Sequence, residues 1–257
     1  MAHADSASGA APVGGPAFAG DMSADVVVVG AGPAGASAAY HLAAQGLDVI
    51  LAEKQELGRD KACGDGLTPS AVRELVRMGV DISDWRRNEG LRVIGGGRRL
   101  HIPWPEQVSL PSYGLARRRS DLDRDLAEHA ANAGARLLTG VTVTGPVTNT
   151  AGRVVGVAAR PTARFTYPGI SSPTRLRAPV VIDAGGVSAR LATAMGRDKN
   201  GRRPLGVAVR AYFRSPRAED SWMESRLELW DGPANRSALL PGYGWVWSVG
   251  DGLVNVG

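Results

Sequence analysis

The sequence predicts an α/β fold, a parallel-sheet unit followed by a mostly β portion. Three observations carry this. An apolar strand, a glycine-rich turn, a helix pattern and a second strand follow one another between Asp25 and Glu53. Two further helix patterns, each opened by a hydroxyl residue and closed by glycine, punctuate the first half of the chain. The segment 205–257 is strand-rich and holds Trp222, Trp230, Trp245 and Trp247, four of the six tryptophans. The 257 residues are 44% hydrophobic and 21% charged, ordinary globular values that exclude a wholly disordered chain. Glycine and proline are abundant, 34 and 16, without the period of a collagen.

Residues 1–23 are Ala, Gly, Ser and Pro without periodicity, and read as a flexible tail. Val26 to Val29 form a continuous apolar run, the mark of a strand buried on both faces. Gly30-Ala31-Gly32-Pro33-Ala34-Gly35 follows, with Pro33 suited to the first helical position. The helix runs through Ala38, Leu42 and Ala43 and stops at Gly46. Val49, Ile50 and Leu51 make the second strand, ending at Glu53. A charged, Gly-rich loop covers 58–66. Thr68 then caps a helix that starts at Pro69, is apolar at Val72, Leu75 and Val76, and stops at Gly79.

Residues 91–104 read as strands around a Gly95-Gly96-Gly97 turn. Ser120 opens a helix with Asp123 three residues on, a capping-box pattern, and Leu122, Leu126, Ala130 and Ala133 mark its apolar face. Short Val-rich strands fill 136–177. Val180 to Ile182 is another buried run, closed by Asp183-Ala184-Gly185-Gly186. A short helix through Leu191 and Met195 ends at Gly196, and 197–203 is a polar connection. Tyr243 to Val249, a Gly250-Asp251-Gly252 turn and Leu253 to Val256 read as a hairpin. The chain stops inside that hairpin's second strand without a polar tail, which points to a C-terminally truncated chain.

The net charge of +5 comes almost wholly from arginine: only Lys54, Lys61 and Lys199 are lysines among 30 basic residues. They are spread along the chain, whereas nucleic-acid surfaces cluster them, so no nucleic-acid partner is expected. One cysteine, Cys63, excludes internal disulfides and a Cys-rich metal site, and no His/Cys/Asp cluster has metal-ligand spacing. No apolar run approaches the ~18 residues of a membrane span, and no basic residue precedes Lys54 to form a signal peptide's charged start. A cytoplasmic chain is the expectation.

Gly30-x-Gly32-x-x-Gly35 sits between a strand and a helix, with Glu53 at the end of the next strand. In that context the first glycine permits the tight turn, the second lets a pyrophosphate approach the backbone, and the third lets the helix pack on the sheet. The helix N-terminus offers free N–H groups to phosphates, and Glu53 is placed for a ribose diol. This Rossmann-like pattern by itself does not separate FAD from NAD.

Further segments carry a resemblance. Lys61-x-Cys63-Gly64-x-Gly66, Arg119-x-x-Leu122-Asp123 and Pro241-x-Tyr243-x-Trp245-x-Trp247 join the glycine fingerprint, with Trp104-Pro105 and Pro111-Ser112-Tyr113-Gly114. From Asp25 onward the chain resembles the geranylgeranyl reductase family of FAD-dependent oxidoreductases, which share the p-hydroxybenzoate hydroxylase (GR2) fold, and within it the actinobacterial menaquinone reductases. The resemblance covers roughly the first three-fifths of such a protein. It implies a discontinuous FAD-binding domain over 24–90, 112–140 and 178–200, and an incomplete substrate domain over 91–111 and 204–257. It departs from the family at Trp247 (Phe in the family), Ser248 (Pro) and Asp183-Ala184-Gly185. The family's second FAD motif, G-D-A, lies beyond the last residue.

By that resemblance FAD is bound by Gly30, Gly32, Pro33, Ala34 and Gly35, by Glu53 and Lys54, by Cys63, Gly64 and Gly66 on the flavin side, by Arg119 at the pyrophosphate or ribityl chain, by Val143 at the adenine, and by Ala184 and Gly185. The chemistry implied is hydride delivery from N5 of the reduced flavin to an isoprenoid alkene carbon of a polyprenyl lipid such as menaquinone, with a proton added to its neighbour. An external electron donor and a peripheral contact with the inner face of the cell membrane follow from such a substrate. Cys63 is a candidate catalytic residue; Tyr243 or a held water are the other proton sources, and a buried cysteine with no role is the plain alternative. Tyr243, Trp245 and Trp247 alternate along one strand and share a face, either as core or as the wall of a tunnel for the substrate tail. Two other readings stand beside the reductase: a flavin monooxygenase or halogenase of the same fold, and an inactive remnant.

Overall fold

A computed structural model of the chain describes residues 20–162, 173–197, 201 and 206–257. Residues 1–19 of the expected tail, and most of the 197–203 connection, lie outside the described residues.

The first layer is a parallel sheet in the order Val180–Asp183, Val26–Val29, Val49–Ala52, Arg136–Leu138. Its two central strands are continuous apolar runs because both faces are covered. On one face Val26, Val28, Val49 and Leu51 pack on Ala39, Ala43, Ala127 and Ala130. These alanines belong to α1 (Pro33–Ala43) and to the longest helix, Arg119–Asn132. On the other face Val27, Ile50 and Ala52 pack on Val141, Val143, Val157 and Leu176. Those residues belong to a second sheet, in the order Asp21–Ser23, Thr174–Arg177, Val154–Pro161, Val141–Thr148. Alternate residues of two short strands thus bind a helical layer and a sheet layer together.

Two expectations are corrected here. Residues 21–23 are not tail: Asp21–Ser23 pairs in parallel with Arg175–Arg177, and the Asp21 carboxylate accepts from Arg177 Nε at 2.5 Å. The Val180–Asp183 run is not buried. It is an edge strand with Val180 half exposed, because only Val26–Val29 pairs with it.

A six-stranded sheet forms the other part of the molecule. Its order is Ala211–Arg214, Leu253–Val256, Gly244–Gly250, Trp222–Arg226, Gly90–Gly95, Arg98–Pro103. Segments far apart in sequence meet in it, joined by the parallel pairing of Trp222–Arg226 with Gly90–Ile94. The Gly96-Gly97 turn has both residues at positive φ, as a two-residue hairpin turn requires. Between the two parts lies a small sheet of Gly66–Leu67, Gly114–Ala116 and Arg86–Asn88.

Two helix starts also differ from expectation. Thr68 is the N-cap of α2 (Pro69–Arg77), but its side chain makes no capping bond. The next helix, α3 (Arg119–Asn132), begins one residue before Ser120, and no side chain of its own caps it. Asp123 does not fold back on Ser120; it accepts from Lys61 and from Arg119 Nε at 2.9 Å. Two cations outbid a backbone N–H for that carboxylate, since charge-assisted bonds are the stronger ones.

Candidate functional site

The carboxyl ends of the central parallel strands, at Val29 and Ala52, open on a cavity of about 400 Å³, within the range of small-molecule sites. Open α/β sheets bind ligands at this end. Gly30, Gly32, Pro33 and Ala34 form one wall. Gly30 turns the chain at φ +99° directly beneath Ala184, and a Cβ there would sit 2.7 Å from the Ala184 carbonyl oxygen. Gly32 is different: a Cβ on it would meet only Lys61 Nζ, at 3.9 Å. Its backbone is therefore bare to the cavity at the start of α1, where N–H groups are free for an anion. Gly35 does not line the cavity. It lies under the turn, where a Cβ would overlap the Gly30 carbonyl oxygen and stand 3.1 Å from Ala184 Cβ.

Glu53 is 9% exposed and lines the cavity. Its Oε2 accepts from Ala31 N–H at 2.9 Å and its Oε1 from Gln55 N–H at 3.0 Å. One bond per oxygen fixes the carboxylate and leaves acceptor capacity for a ligand diol. Its main chain is pinned to Leu138 and Val141, at 2.8 and 2.9 Å. Lys54, Val143, Ala184, Gly185 and Arg119 also face the cavity. Sequence reasoning missed Arg59, Lys61, Asp183 and Arg190 in the same lining. Asp183 holds the Gly185 and Ala192 N–H groups, at 3.0 and 2.9 Å, and so shapes the wall opposite the glycines. Among the described residues, Lys54, Arg59 and Arg190 have no carboxylate partner, so the lining carries uncompensated positive charge suited to a diphosphate. A run of scattered basic residues gives no sequence signal that three of them converge.

A second pocket, of about 220 Å³, is lined by Cys63, Gly64, Gly66, Met223 and the aromatic trio Tyr243, Trp245 and Trp247. The three glycine-loop residues expected at the flavin thus face this pocket. Trp247 donates its indole N–H to the Gly64 carbonyl, and a Cβ on Gly64 would stand 2.5 Å from Trp247 Cζ2. The two rings Trp245 and Trp247 stack with centroids 6.0 Å apart, and Tyr243 adds a third at 5.9 Å. Tyr243 lies just outside the Gly244–Gly250 strand and is 57% exposed, so it stands at the rim, whereas Trp245 is buried. Ser248, which stands where the family has Pro, donates from Oγ to the Ala218 carbonyl at 2.5 Å.

The loop 61–66 divides the two pockets. Lys61 is on the cavity side and binds Asp123; Cys63 is on the aromatic side. Lys61 and Arg119 share the Asp123 carboxylate. Burial works against the Arg119 charge, yet contact with the Cys63 thiol and with Asp123 holds its pKa above the ordinary guanidinium value. Arg119 thus faces the cavity.

Residues 23–242 match the family described as FAD binding domain. The chain belongs to the FAD-binding domain family. The bare backbone at Gly32, the fixed Glu53 carboxylate and the cationic lining fit the adenosine diphosphate half of FAD. The chain is 39% identical over 238 residues to a menaquinone reductase of Mycolicibacterium smegmatis, covering 91% of this chain and 54% of that protein. It is 31% identical over 241 residues to a digeranylgeranylglycerophospholipid reductase of Methanosarcina acetivorans, covering 91% of this chain and 53% of that one. Among solved structures, a geranylgeranyl bacteriochlorophyll reductase-like protein of Thermoplasma acidophilum superposes with a TM-score of 0.68 at 25% identity, over 91% of this chain and 56% of its own. The chain spans about half the length of these relatives.

Proposed function

We propose that the chain is the cofactor-binding part, with one wall of the substrate site, of a FAD-dependent reductase that saturates an isoprenoid double bond of a polyprenyl lipid such as menaquinone. The observation that carries this reading is the pair of pockets on either side of the 61–66 loop, one cationic and one aromatic. The likeness to a menaquinone reductase and to an archaeal lipid reductase supports it.

Reduced FAD, when bound, supplies the hydride. The residues of the chain do the rest. Lys54, Arg59 and Arg190 would hold the diphosphate, and Glu53 would accept from the ribose hydroxyls. Trp245, Trp247 and Met223 exclude water from the reacting carbon. An isoprenoid tail has no polar handle, so its affinity comes from buried apolar area, about 25 cal/mol per Å². Cys63, which lines the aromatic pocket, is the proton source for the second alkene carbon. The reducing equivalents would come from an external electron donor.

No helix among the described residues is long and apolar enough to cross a membrane. Leu239, Leu240 and Tyr243 are exposed apolar side chains close in sequence to the aromatic pocket. They support a peripheral contact with the inner face of the cell membrane, from a cytoplasmic protein. The test is anaerobic turnover of the full-length protein with chemically reduced FAD and a polyprenyl quinone. A product heavier by two hydrogens, with the quinone ring unchanged, is expected. Oxygen-dependent consumption of NAD(P)H with a hydroxylated or halogenated product would overturn the reading in favour of a monooxygenase or halogenase.

A further inference from the structure

We propose that Asp65 is a positioning residue for this reaction: its buried carboxylate ties the Cys63 loop to the first residue of α3 and to the aromatic sheet, and so sets the two pockets in register. The inference rests on the assignment of FAD and substrate to those pockets.

Asp65 is 1% exposed and touches neither pocket. It occupies an unspecified position of the loop segment, between two glycines, at φ +64°. A glycine would suit that backbone better. The side chain there is used by three donors instead. Oδ1 accepts from the Arg119 N–H at 2.9 Å. Oδ2 accepts from Tyr212 OH at 2.6 Å and from Asn255 Nδ2 at 2.7 Å. Arg119 is the first residue of α3, a helix without a cap of its own, so Asp65 supplies the cap from a distance. The same residue's guanidinium faces the cofactor cavity and binds Asp123, at 2.9 Å.

Asn255 carries the tie onward. Its amide N–H group also donates to the Cys63 carbonyl at 3.0 Å, and its oxygen accepts from Trp245 Nε1 at 2.8 Å. Asn255 is fully buried, and its amide orientation is dictated by the carboxylate on one side and the indole N–H on the other. Tyr212 is pushed above the ordinary phenol pKa by burial and by Asp65, so it stays a donor. Every member of the chain Arg119–Asp65–Asn255–Trp245 has a partner, and such a fully satisfied buried network fixes geometry. A shift of this carboxylate moves the cation, the thiol loop and the aromatic wall together.

The test compares Asp65→Asn, Asn255→Asp and the reciprocal double variant in the full-length protein. Asp65→Asn keeps the shape but sets an amide N–H against a donor. The expected result is a fall in kcat per bound FAD of about 10- to 100-fold, the size of leaving one buried donor unpaired. The rate of Cys63 alkylation, followed on its peptide by mass, rises several-fold. The double variant restores donor against acceptor between the two positions but leaves the Cys63 carbonyl facing a carboxylate, so it regains part of both. If the loss only tracks lost FAD or lost folded protein, with kcat per FAD and alkylation unchanged, the positioning role is wrong. A double variant no better than the single ones would overturn it too. The alkylation arm needs no substrate, so a wild type inactive on polyprenyl quinones would sink the functional reading while still testing this one.

Discussion

Adding one methyl group to either of two glycines, three residues apart, should give opposite defects. In Gly35→Ala the new Cβ overlaps the Gly30 carbonyl oxygen and lies 3.0 Å from the Gly30 carbonyl carbon and 3.1 Å from Ala184 Cβ. Carbon atoms in good contact are ~3.5–4.0 Å apart. The overlap with the Gly30 oxygen is the tightest of these, so helix and turn must separate by about 1 Å or more, against backbone that is itself hydrogen-bonded. Such overpacking costs about 1–3 kcal/mol and sometimes more. The better helix propensity of alanine returns up to ~1 kcal/mol. The net loss, about 1–2 kcal/mol, lowers the melting temperature of a domain this size by roughly 3–8 °C. In Gly32→Ala the methyl meets only Lys61 Nζ, and Gly32 has φ −76°, open to any residue. Its fold should be destabilised by no more than about 1 kcal/mol, from a poorer N-cap. The methyl then stands where the diphosphate must approach, and FAD affinity falls at least about tenfold. Differential scanning fluorimetry without FAD, and a fluorescence titration with it, separate the two defects. A Gly32→Ala protein that binds FAD as wild type does, or a Gly35→Ala protein as stable as wild type, would refute the reasoning.

Two further outcomes follow from the same geometry. Gly64→Ala places a methyl 2.5 Å from Trp247 Cζ2, so the indole must leave its bond to the Gly64 carbonyl; turnover of a polyprenyl substrate should fall at least about tenfold with FAD binding retained, read by product analysis beside flavin content. In the six-stranded sheet Glu224 is 2% exposed and bound to Arg217 and Arg226, at 2.8 and 3.0 Å, while Asp220 meets Arg92 at 3.0 Å. Burial pushes both carboxyls up, but the arginines outweigh it, and both titrate below their ordinary values in the folded chain. Their stabilisation is therefore complete above the ordinary carboxylate range and is lost as the pH falls through the lowered values. Urea unfolding over an acid series should show this loss; in Glu224→Gln, whose arginine partners are half exposed and so screened by solvent, the cost is about 1 kcal/mol, the acid slope should be shallower, and an unchanged slope would refute the assignment.

The β-α-β unit from Val26 to Ala52 was legible because its signals are local: a continuous apolar run, a proline at the first helical position, and glycines at the turn and stop. The paired pockets were only half legible. Glu53 follows its strand, but the convergence of Arg59 and Arg190 on one cavity depends on tertiary packing that no spacing encodes. The capping-box reading at Ser120 failed for the same reason, since Asp123 is engaged by Lys61, 62 residues away. Tyr243 was placed in a strand by alternation alone, whereas ladder pairing starts at Gly244. Asp65 gave no signal at all: a lone acidic residue in a charged loop looks solvated until Tyr212 and Asn255 close over it.

The dividing loop also has a bearing on biosynthesis. It is made early, at residues 61–66, yet the side chains that fasten it arrive 147 to 190 residues later, at Tyr212 and Asn255. A chain emerging from the ribosome builds its glycine turn and Glu53 long before it can settle Cys63. During that interval the nascent protein carries an unfastened thiol, which the aromatic strand at Trp245 and Trp247 covers only when it arrives.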